Sequence, residues 1–280
     1  MCLKLALAAT ALSLIGAPVM AAKAPAGAQA ASAVAASNPA PATRAPTAPP
    51  PPVKATAEQR AEADRMDPLA RAAFWGRESD ADPRDLLASV KLAKALRELG
   101  RYDDAVGTAE HVLVIDPNNI DALLESARAR IAQGQGFFAI DFAQRASAAA
   151  PRDWRPVSLL AIALEQSQRD DEALAAHQRA LGLAPNNPSA LSNLAMFYAA
   201  HGQSADAEGL LRRAVALPGA TAQIRQNLAL ILGLQGHMTE AEQLQRRDLP
   251  PAVVDNNLSY LHAAQTPLPQ RSWDSVKGQP

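Results

Sequence analysis

Cysteine is almost missing from this sequence of 280 residues, because Cys2 is the single one. It lies ahead of the first apolar run, so removal of that run as a signal would leave a mature chain without thiols. A chain of that kind cannot form a disulfide framework, a thiolate nucleophile or a thiolate metal site.

Aromatic residues, glycine and net charge are also scarce. Aromatic side chains make up 4% of the chain, there are 14 Gly, and the net charge is −1 with a pI near 6.5. Few aromatic and many alanine residues favour close helix packing over a β-sandwich or barrel. The balanced charge provides no field that attracts polyanions, so we predict no nucleic-acid partner.

Only one long apolar run is present, from Leu5 to Met20 after Lys4. Its 16 residues are fewer than the roughly 20 that a spanning helix needs. Small residues follow at Ala21 and Ala22, which is typical of a cleavage site. We therefore predict a signal peptide over residues 1–21 and an exported mature chain, with an uncleaved membrane anchor as the alternative.

The termini of the mature chain have biased compositions. Residues 22–55 consist mainly of Ala, Pro, Ser and Thr and include the run Pro49 to Pro52. Such a segment buries too little apolar surface to offset the entropy of ordering, so it is predicted to be a disordered linker. The tail over residues 265–280, with Pro267 and Pro269, is predicted to be disordered as well.

A helical lead-in is predicted over residues 56–82. Thr56 and Gln59 form a capping box at the start of a first short helix. Asp67-Pro68 then begins a second helix, which is expected to end at Gly76. Asp82-Pro83 is expected to begin the next helix and the main array.

The array itself follows a 34-residue period. Four sequence columns share it, and alanine fills two of them. The columns are Gly100, Gly134, Gly202 and Gly236, with Gln168 in the missing place; Ala93, Ala127, Ala161, Ala195 and Ala229; Ala105, Ala139, Ala173, Ala207 and Ala241; and Pro117, Pro151 and Pro185. A 34-residue period of helix, turn and helix is typical of tetratricopeptide repeats.

These columns predict an all-α fold, a right-handed superhelical tetratricopeptide solenoid. Its units begin at Leu86, Ile120, Trp154, Pro188 and Ala222, and places are numbered from those residues. Ala at places 8 and 20 allows helices A and B of a unit to approach closely, and Gly at place 15 supplies the positive φ of the turn. We predict four good repeats and a degenerate fifth over residues 83–248, then a capping helix over residues 249–264.

Catalytic motifs are absent from the sequence. The five His residues lie in different units, and no H-E-x-x-H, G-x-S-x-G or phosphate-binding glycine loop occurs. The acidic run Asp170-Asp171-Glu172 begins a helix B, where carboxylates stabilise the helix dipole. We therefore predict no enzymatic activity, no cofactor, no metal and no small-molecule substrate.

A partner-binding surface is implied by the resemblance to tetratricopeptide proteins, in which helix A lines the concave side. Asn193 and Asn227 share place 6, and side-chain amides of this type can bond both N–H and C=O of a peptide. The alternative is that this face is only solvated, and either an extended or a helical segment would suit a groove. The predicted binding residues are Lys91, Lys94, Arg97, Arg128, Asn193, Met196, Gln223, Asn227 and Leu230.

Three segments resemble a particular family. They are Arg71-Ala-Ala-Phe-Trp-Gly-Arg77 with Asp82-Pro-Arg-Asp85, Lys91-Leu-Ala-Lys-Ala-Leu-Arg-Glu-Leu-Gly-Arg101, and Asp248-Leu-Pro-Pro-Ala-Val-Val-Asp-Asn-Asn-Leu-Ser-Tyr-Leu261. Together with the signal they resemble the TadD-type protein of the Flp (tight adherence) pilus machinery, over roughly residues 56–264.

The resemblance implies a periplasmic or outer-membrane-associated accessory factor whose partners are secretin or pilus-assembly components. It implies membrane association only indirectly or through an uncleaved signal. Such proteins are often lipoproteins, and no cysteine follows the apolar run here, so a lipid anchor does not carry over. The alternative is another periplasmic repeat scaffold or a secretion or cell-envelope chaperone.

Overall fold

The computed structural model describes residues 54–265, so the predicted signal peptide, nearly all of the linker and nearly all of the tail lie outside the described residues. Between 54 and 265 all regular structure is helical, with no strand. The helices are α1 (Ala57–Ala63), α2 (Pro68–Ala81), α3 (Leu86–Glu98), α4 (Tyr102–Ile115), α5 (Ile120–Ala132), α6 (Gly136–Ala149), α7 (Trp154–Gln166), α8 (Asp170–Leu183), α9 (Pro188–Ala200), α10 (Ser204–Ala216), α11 (Ala222–Leu234), α12 (Met238–Gln245) and α13 (Pro251–Gln265).

The predicted starting signals of the first two helices are present in the structure. Thr56 Oγ1 accepts a hydrogen bond from the N–H of Gln59, and Gln59 Oε1 accepts one from the N–H of Thr56 at 2.9 Å. Asp67 caps α2 by accepting from the N–H groups of Leu69 and Ala70. The capping box and the Asp-Pro start therefore act as the local sequence indicates.

Two predicted boundaries in the lead-in are wrong. Helix α2 does not end at Gly76 but continues to Ala81. An internal Gly costs a helix only about 1 kcal/mol, and burial of Trp75 and Glu78 on the same helix compensates for it. Asp82 is the C-cap residue of α2 and not the start of the next helix.

The array begins instead at Leu86, where α3 starts. Asp85 is its N-cap and accepts a hydrogen bond from the N–H of Ala88 at 3.1 Å. Arg60 joins this cap to the lead-in, because its guanidinium lies 2.6 Å from carboxylate oxygens of both Glu78 and Asp85. The first repeat is thus held to α1 and α2 by a partly buried ion-pair network.

The 34-residue period corresponds to one helix pair in the structure. Helices α3, α5, α7, α9 and α11 are the A helices of units 1 to 5, and each starts at the first place of its unit. The turn after each A helix has a residue with positive φ, including Gly134 at 73°. Gln168 replaces glycine in this column and still adopts φ 59°. The geometry of the turn is therefore kept even without the residue that favours it.

Both alanine columns are completely buried. Every Ala at places 8 and 20 has 0% exposure, in all five units. A larger side chain at either place would separate the two helices of a unit. The buried apolar side chains of the described residues form five clusters along the solenoid, and the alanines of these two columns lie in four of them.

Stacking of the units gives the solenoid two different sides. Each A helix contacts the A helix of the next unit, and α13 continues this row by packing on α11. Among the described helices, the backbones of the B helices (α4, α6, α8, α10 and α12) do not pack against one another, although the ion pair of Arg212 with Glu240 bridges α10 and α12. The A helices therefore form the inner side of the solenoid, and the B helices form its outer side.

A tight junction between units 2 and 3 leads to a first prediction. A methyl group added to Gly136 would lie 2.5 Å from Cβ of Gln166 and 2.6 Å from the carbonyl oxygen of Ala163. We expect Gly136→Ala to lower the free energy of unfolding by about 1–3 kcal/mol, because backbone must move to relieve the contact. Thermal or urea unfolding measures this change.

Gly107 is the matched control, since it lies inside α4 and has nothing within 4 Å of an added methyl group. Gly107→Ala should stabilise the protein by about 0.5–1 kcal/mol through helix propensity alone. Equal effects of the two substitutions would show that the junction is looser than described.

Candidate functional site

The inner row of A helices carries the predicted binding residues. Along the A helices, places 2 and 13 are mainly exposed, place 9 is half-buried in units 2 to 5, and places 5, 6 and 12 are half-buried or buried. The stripe from place 2 to place 13 therefore mixes exposed side chains with side chains that join one unit to the next.

In units 1 and 2 this surface is a network of ion pairs. Glu125 is only 4% exposed, and its carboxylate accepts from Arg97 Nε at 2.8 Å and from Arg128 at 2.5 Å. Arg97 also lies 4.0 Å from Glu98, which pairs with Arg71 of α2. The predicted residues Arg97 and Arg128 are thus brought together by a carboxylate that lies between them.

The two predicted lysines differ in their surroundings. Lys91 Nζ lies 2.7 Å from Asp64 Oδ2 and 6.0 Å from the centre of the Trp75 ring, so it joins unit 1 to the lead-in. Lys94 is exposed. Most of the basic side chains predicted for this end are therefore occupied by carboxylates of the same chain.

In units 3 to 5 the charged network gives way to side-chain amides. Asn193 donates from Nδ2 to Oγ of Ser158 at 2.8 Å, and Asn227 donates from Nδ2 to Oγ of Ser192 at 3.1 Å. Gln223 donates to Oδ1 of Asn227 at 3.0 Å. The same bond therefore repeats between successive A helices, from place 6 of one unit to place 5 of the unit before it.

Apolar side chains accompany these amides. Met196 and Leu230 occupy place 9 of units 4 and 5 and are half-buried, and Leu234 at the end of α11 is 39% exposed. Ile162 is half-buried at place 9 of unit 3. It is missing from the predicted residues, although the 34-residue period identifies it.

The buried partners are the main feature that sequence reasoning missed. Ser158 and Ser192 are each 3% exposed, and nothing in a single unit shows that they accept bonds from the next unit. The sequence separation of 35 residues between Asn193 and Ser158 is one repeat plus one residue. Pairing polar residues about one repeat apart in the sequence would have identified Asn193 and Ser158.

The histidines lie outside the stripe of predicted binding residues. His177 is 1% exposed at place 24, and its ring lies 5.4 Å from that of Phe197. His201 stacks on Phe197 at 4.1 Å, and its Nδ1 lies 2.8 Å from the carbonyl oxygen of the same residue. Its Nε2 lies 3.3 Å from Asp170, so it links the end of α9 to the start of α8.

Residues 54–265 contain neither a metal site nor a membrane span. No group of three or more His, Cys, Asp or Glu side chains in this part of the chain is arranged to hold a metal ion. Over the same residues, every helix is too short or too polar to cross a bilayer.

The Glu125 network leads to a second prediction. Glu125→Gln leaves two arginines beside a neutral amide, so charge-assisted hydrogen bonds in a partly buried place are lost. We expect the free energy of unfolding to fall by about 1–3 kcal/mol. Glu242→Gln is the control, because its pair with Arg246 is exposed and i,i+4 on one helix, and it should cost no more than about 0.5 kcal/mol. Equal losses of unfolding free energy in urea would show that the buried ion pairs of Glu125 stabilise the protein no more than an exposed pair does.

His201 leads to a third prediction, on pH dependence. The carbonyl of Phe197 first, and then the carboxylate of Asp170, raise the pKa of His201 above its ordinary value, and Glu165 acts in the same direction. A raised pKa means that the folded state binds the proton more tightly. The resulting stability is fully present below about pH 6.5 and is lost as pH rises through the raised pKa.

The measurement is the melting temperature of the protein and of His201→Gln, at about pH 5.5 and about pH 8.5. The difference between the two proteins should be larger at the lower pH. Asp170→Asn should reduce that difference, since it removes one of the groups that favour the protonated ring. A difference that grows with pH would contradict the assignment.

Comparisons with known proteins agree with this architecture. Tetratricopeptide-repeat family models match residues 157–189, 189–217 and 221–249. A search of curated proteins finds no match. A solved tetratricopeptide protein from Thermus thermophilus is similar at 23% identity and a TM-score of 0.57, over 64% of this chain and 99% of the other. Another from Parabacteroides merdae is similar at 14% identity and a TM-score of 0.61, over 73% and 80%.

These similarities to solved structures show the fold, and the matched models cover three successive repeats of it. Tetratricopeptide-repeat proteins are generally non-enzymatic scaffolds for protein–protein interaction. Residues 54–265 thus form a helical solenoid of the tetratricopeptide-repeat type, and the family models match three of its successive repeats.

Proposed function

We propose that this protein is a non-enzymatic scaffold that binds a segment of a partner protein along the A helices of units 3 to 5. The supporting observation is the stripe formed there by Ile162, Met196 and Leu230, which are half-buried and occupy the same place of successive units. Partly exposed apolar side chains beside amides suit a peptide, because they contribute contact area while the amides bond its backbone.

The amides keep capacity for a partner in spite of their contacts within the chain. Asn193 uses one N–H in its bond to Ser158, and an Asn side chain has a second N–H and an oxygen acceptor. Asn227 uses one N–H and accepts one bond from Gln223. Both side chains are half-buried, so part of each remains accessible from solvent.

The contrast between the two ends of the stripe indicates the chemistry of the partner. A segment that bound units 1 and 2 through charge would compete with the pairs that Glu125 makes to Arg97 and Arg128. Within the part of the chain that the structure describes, units 3 to 5 have no comparable ion pairs between their A helices. A partner segment with few charges and with apolar side chains therefore fits this end best.

We further propose that the protein is exported and acts in assembly of a Flp-type pilus or its secretin. The signal-like residues 1–21 support export, and the three segments that resemble TadD-type proteins support the pilus machinery. Two of those segments lie toward the ends of the described fold, one in and just after α2 and the other from Asp248 into α13.

A fourth prediction separates binding from stability with two double variants. Asn193→Ala with Asn227→Ala removes the inter-repeat bonds and also the amides that a partner would contact. Ser158→Ala with Ser192→Ala removes the same inter-repeat bonds but leaves the amides in place. We expect the Asn variant to weaken partner binding by roughly 2- to 10-fold for each lost hydrogen bond to the partner backbone, while the Ser variant binds normally.

The measurements are affinity for the captured partner and thermal melting, both on the exported chain. The partner is first captured from envelope extracts and identified. Secretin or pilus components support the pilus proposal, and other envelope proteins support the alternative of a different scaffold or chaperone. Equal loss of affinity in both variants would show that the Asn residues act only through repeat stacking, and the proposed groove would be wrong.

A further inference from the structure

An exposed pair of phenylalanines lies on the outer side of the solenoid. Phe137 is 73% exposed and Phe138 is 61% exposed, and their rings meet edge to face with centroids 5.6 Å apart. They begin α6, the B helix of unit 2. The chain has only five Phe, and two of them are adjacent and exposed to solvent.

The repeat shows how unusual these two positions are. Phe137 and Phe138 occupy places 18 and 19, in the first turn of helix B. In the other four units place 19 is acidic, occupied by Asp104, Glu172, Asp206 and Glu240. An acid there stabilises the positive end of the helix dipole, and α6 has none in its first turn. Unit 2 thus replaces a stabilising carboxylate with exposed apolar surface.

A shallow recess of about 450 Å³ adjoins the pair. Apolar walls come from both rings together with Ile140 and Phe142. Its polar rim has two acidic side chains, Glu110 and Asp141, and two basic ones, Arg130 and Arg169. Exposed apolar surface with a polar rim is the usual composition of a protein-binding site.

We propose that this Phe137/Phe138 patch is a self-association surface, which pairs with the same patch of a second copy of this chain. The rim is electrically balanced, so it offers no preference for a strongly acidic or basic partner. Rotation about a two-fold axis brings such a rim against an identical one. The surface charges Arg130, Asp141 and Arg169, which pair with Asp103, Arg145 and Glu172 of their own chain, can then exchange these partners for opposite charges of the second copy. A ring from each copy then enters the recess of the other.

The size of the patch determines the strength of the pairing. Two copies bring together four rings, which contribute about 500 Å² of exposed apolar surface. That is below the roughly 1,200 Å² of total buried surface found in stable complexes. The expected dimer is therefore weak and reversible. Because α6 lies on the outer side, a dimer formed there leaves the A-helix stripe free. The self-association proposal therefore does not depend on the proposed function.

Sedimentation velocity over a wide concentration range gives the fifth prediction. The sedimentation coefficient of the protein should rise with concentration, and the double variant Phe137→Ser with Phe138→Ser should lose this dependence while keeping its melting temperature. Val114→Ser with Ile115→Ser is the matched control, since these exposed apolar residues lie at the end of α4. That control should associate like the unchanged protein.

Cross-linking tests whether the contact is between identical patches. Gln144 lines the recess, so Gln144→Cys in a Cys2→Ser background should give a covalent dimer with a short bis-maleimide. Val114→Cys in the same background should react far less, because it lies outside the recess.

Three results would overturn the proposal. One is a single monomeric species up to about 1 mM, where even a binding free energy near −4 kcal/mol would be detected. Another is self-association that survives loss of both rings, which would assign it to a different surface. The third is a monomer that loses capture of another protein when the rings are replaced, which would make the patch a site for that protein.

Discussion

The close approach of two helices at small side chains is the constraint on which the rest of this structure depends. Alanine at places 8 and 20 is fully buried in all five units, so every A helix packs closely against its B helix at these small side chains. Similar helix pairs stack on one another, which brings the A helices into a row and keeps the backbones of the B helices apart. The inner stripe and the outer patch are both consequences of that stacking.

In the inner stripe, the side chains that join the units include those proposed to bind a partner. Polar side chains at place 6 join units 2, 4 and 5 to the preceding unit, through a carboxylate at Glu125 and amides at Asn193 and Asn227. Lys91 at the same place joins unit 1 to the lead-in. A partner that bonds the amides therefore acts on the junctions between units 3, 4 and 5. Partner binding is therefore expected to stabilise the packing of these A helices, because a ligand that binds only the folded array stabilises it.

Departures from the repeat mark positions that the requirements of stacking do not explain. Columns that agree, such as the buried alanines, describe the requirements of stacking. Place 19 is acidic in four units because the first turn of a helix favours negative charge, so the exposed Phe138 in unit 2 needs a different explanation. Gln168 is the opposite example, since it departs from the glycine column and still adopts the positive φ of the turn. Packing overrides the preference of the residue at that turn.

The sequence by itself determined the helix pairs, their turns and the alanine contacts. Each of these follows from local backbone preference repeated every 34 residues, so a column of residues is enough to predict it. The end of α2 was not predictable in this way, because burial of Trp75 and Glu78 outweighs the weak local signal of Gly76.

Only the tertiary structure decided how the polar residues of the stripe are used. Arg97 and Glu125 are 28 residues apart, and Asn193 and Ser158 are 35 apart, so each pair meets only when whole units stack. The sequence marked Arg97 and Asn193 as accessible side chains, and stacking gave each a partner within the chain. Hydrogen bonds and ion pairs depend on distances of about 3 Å, which a periodic pattern does not specify.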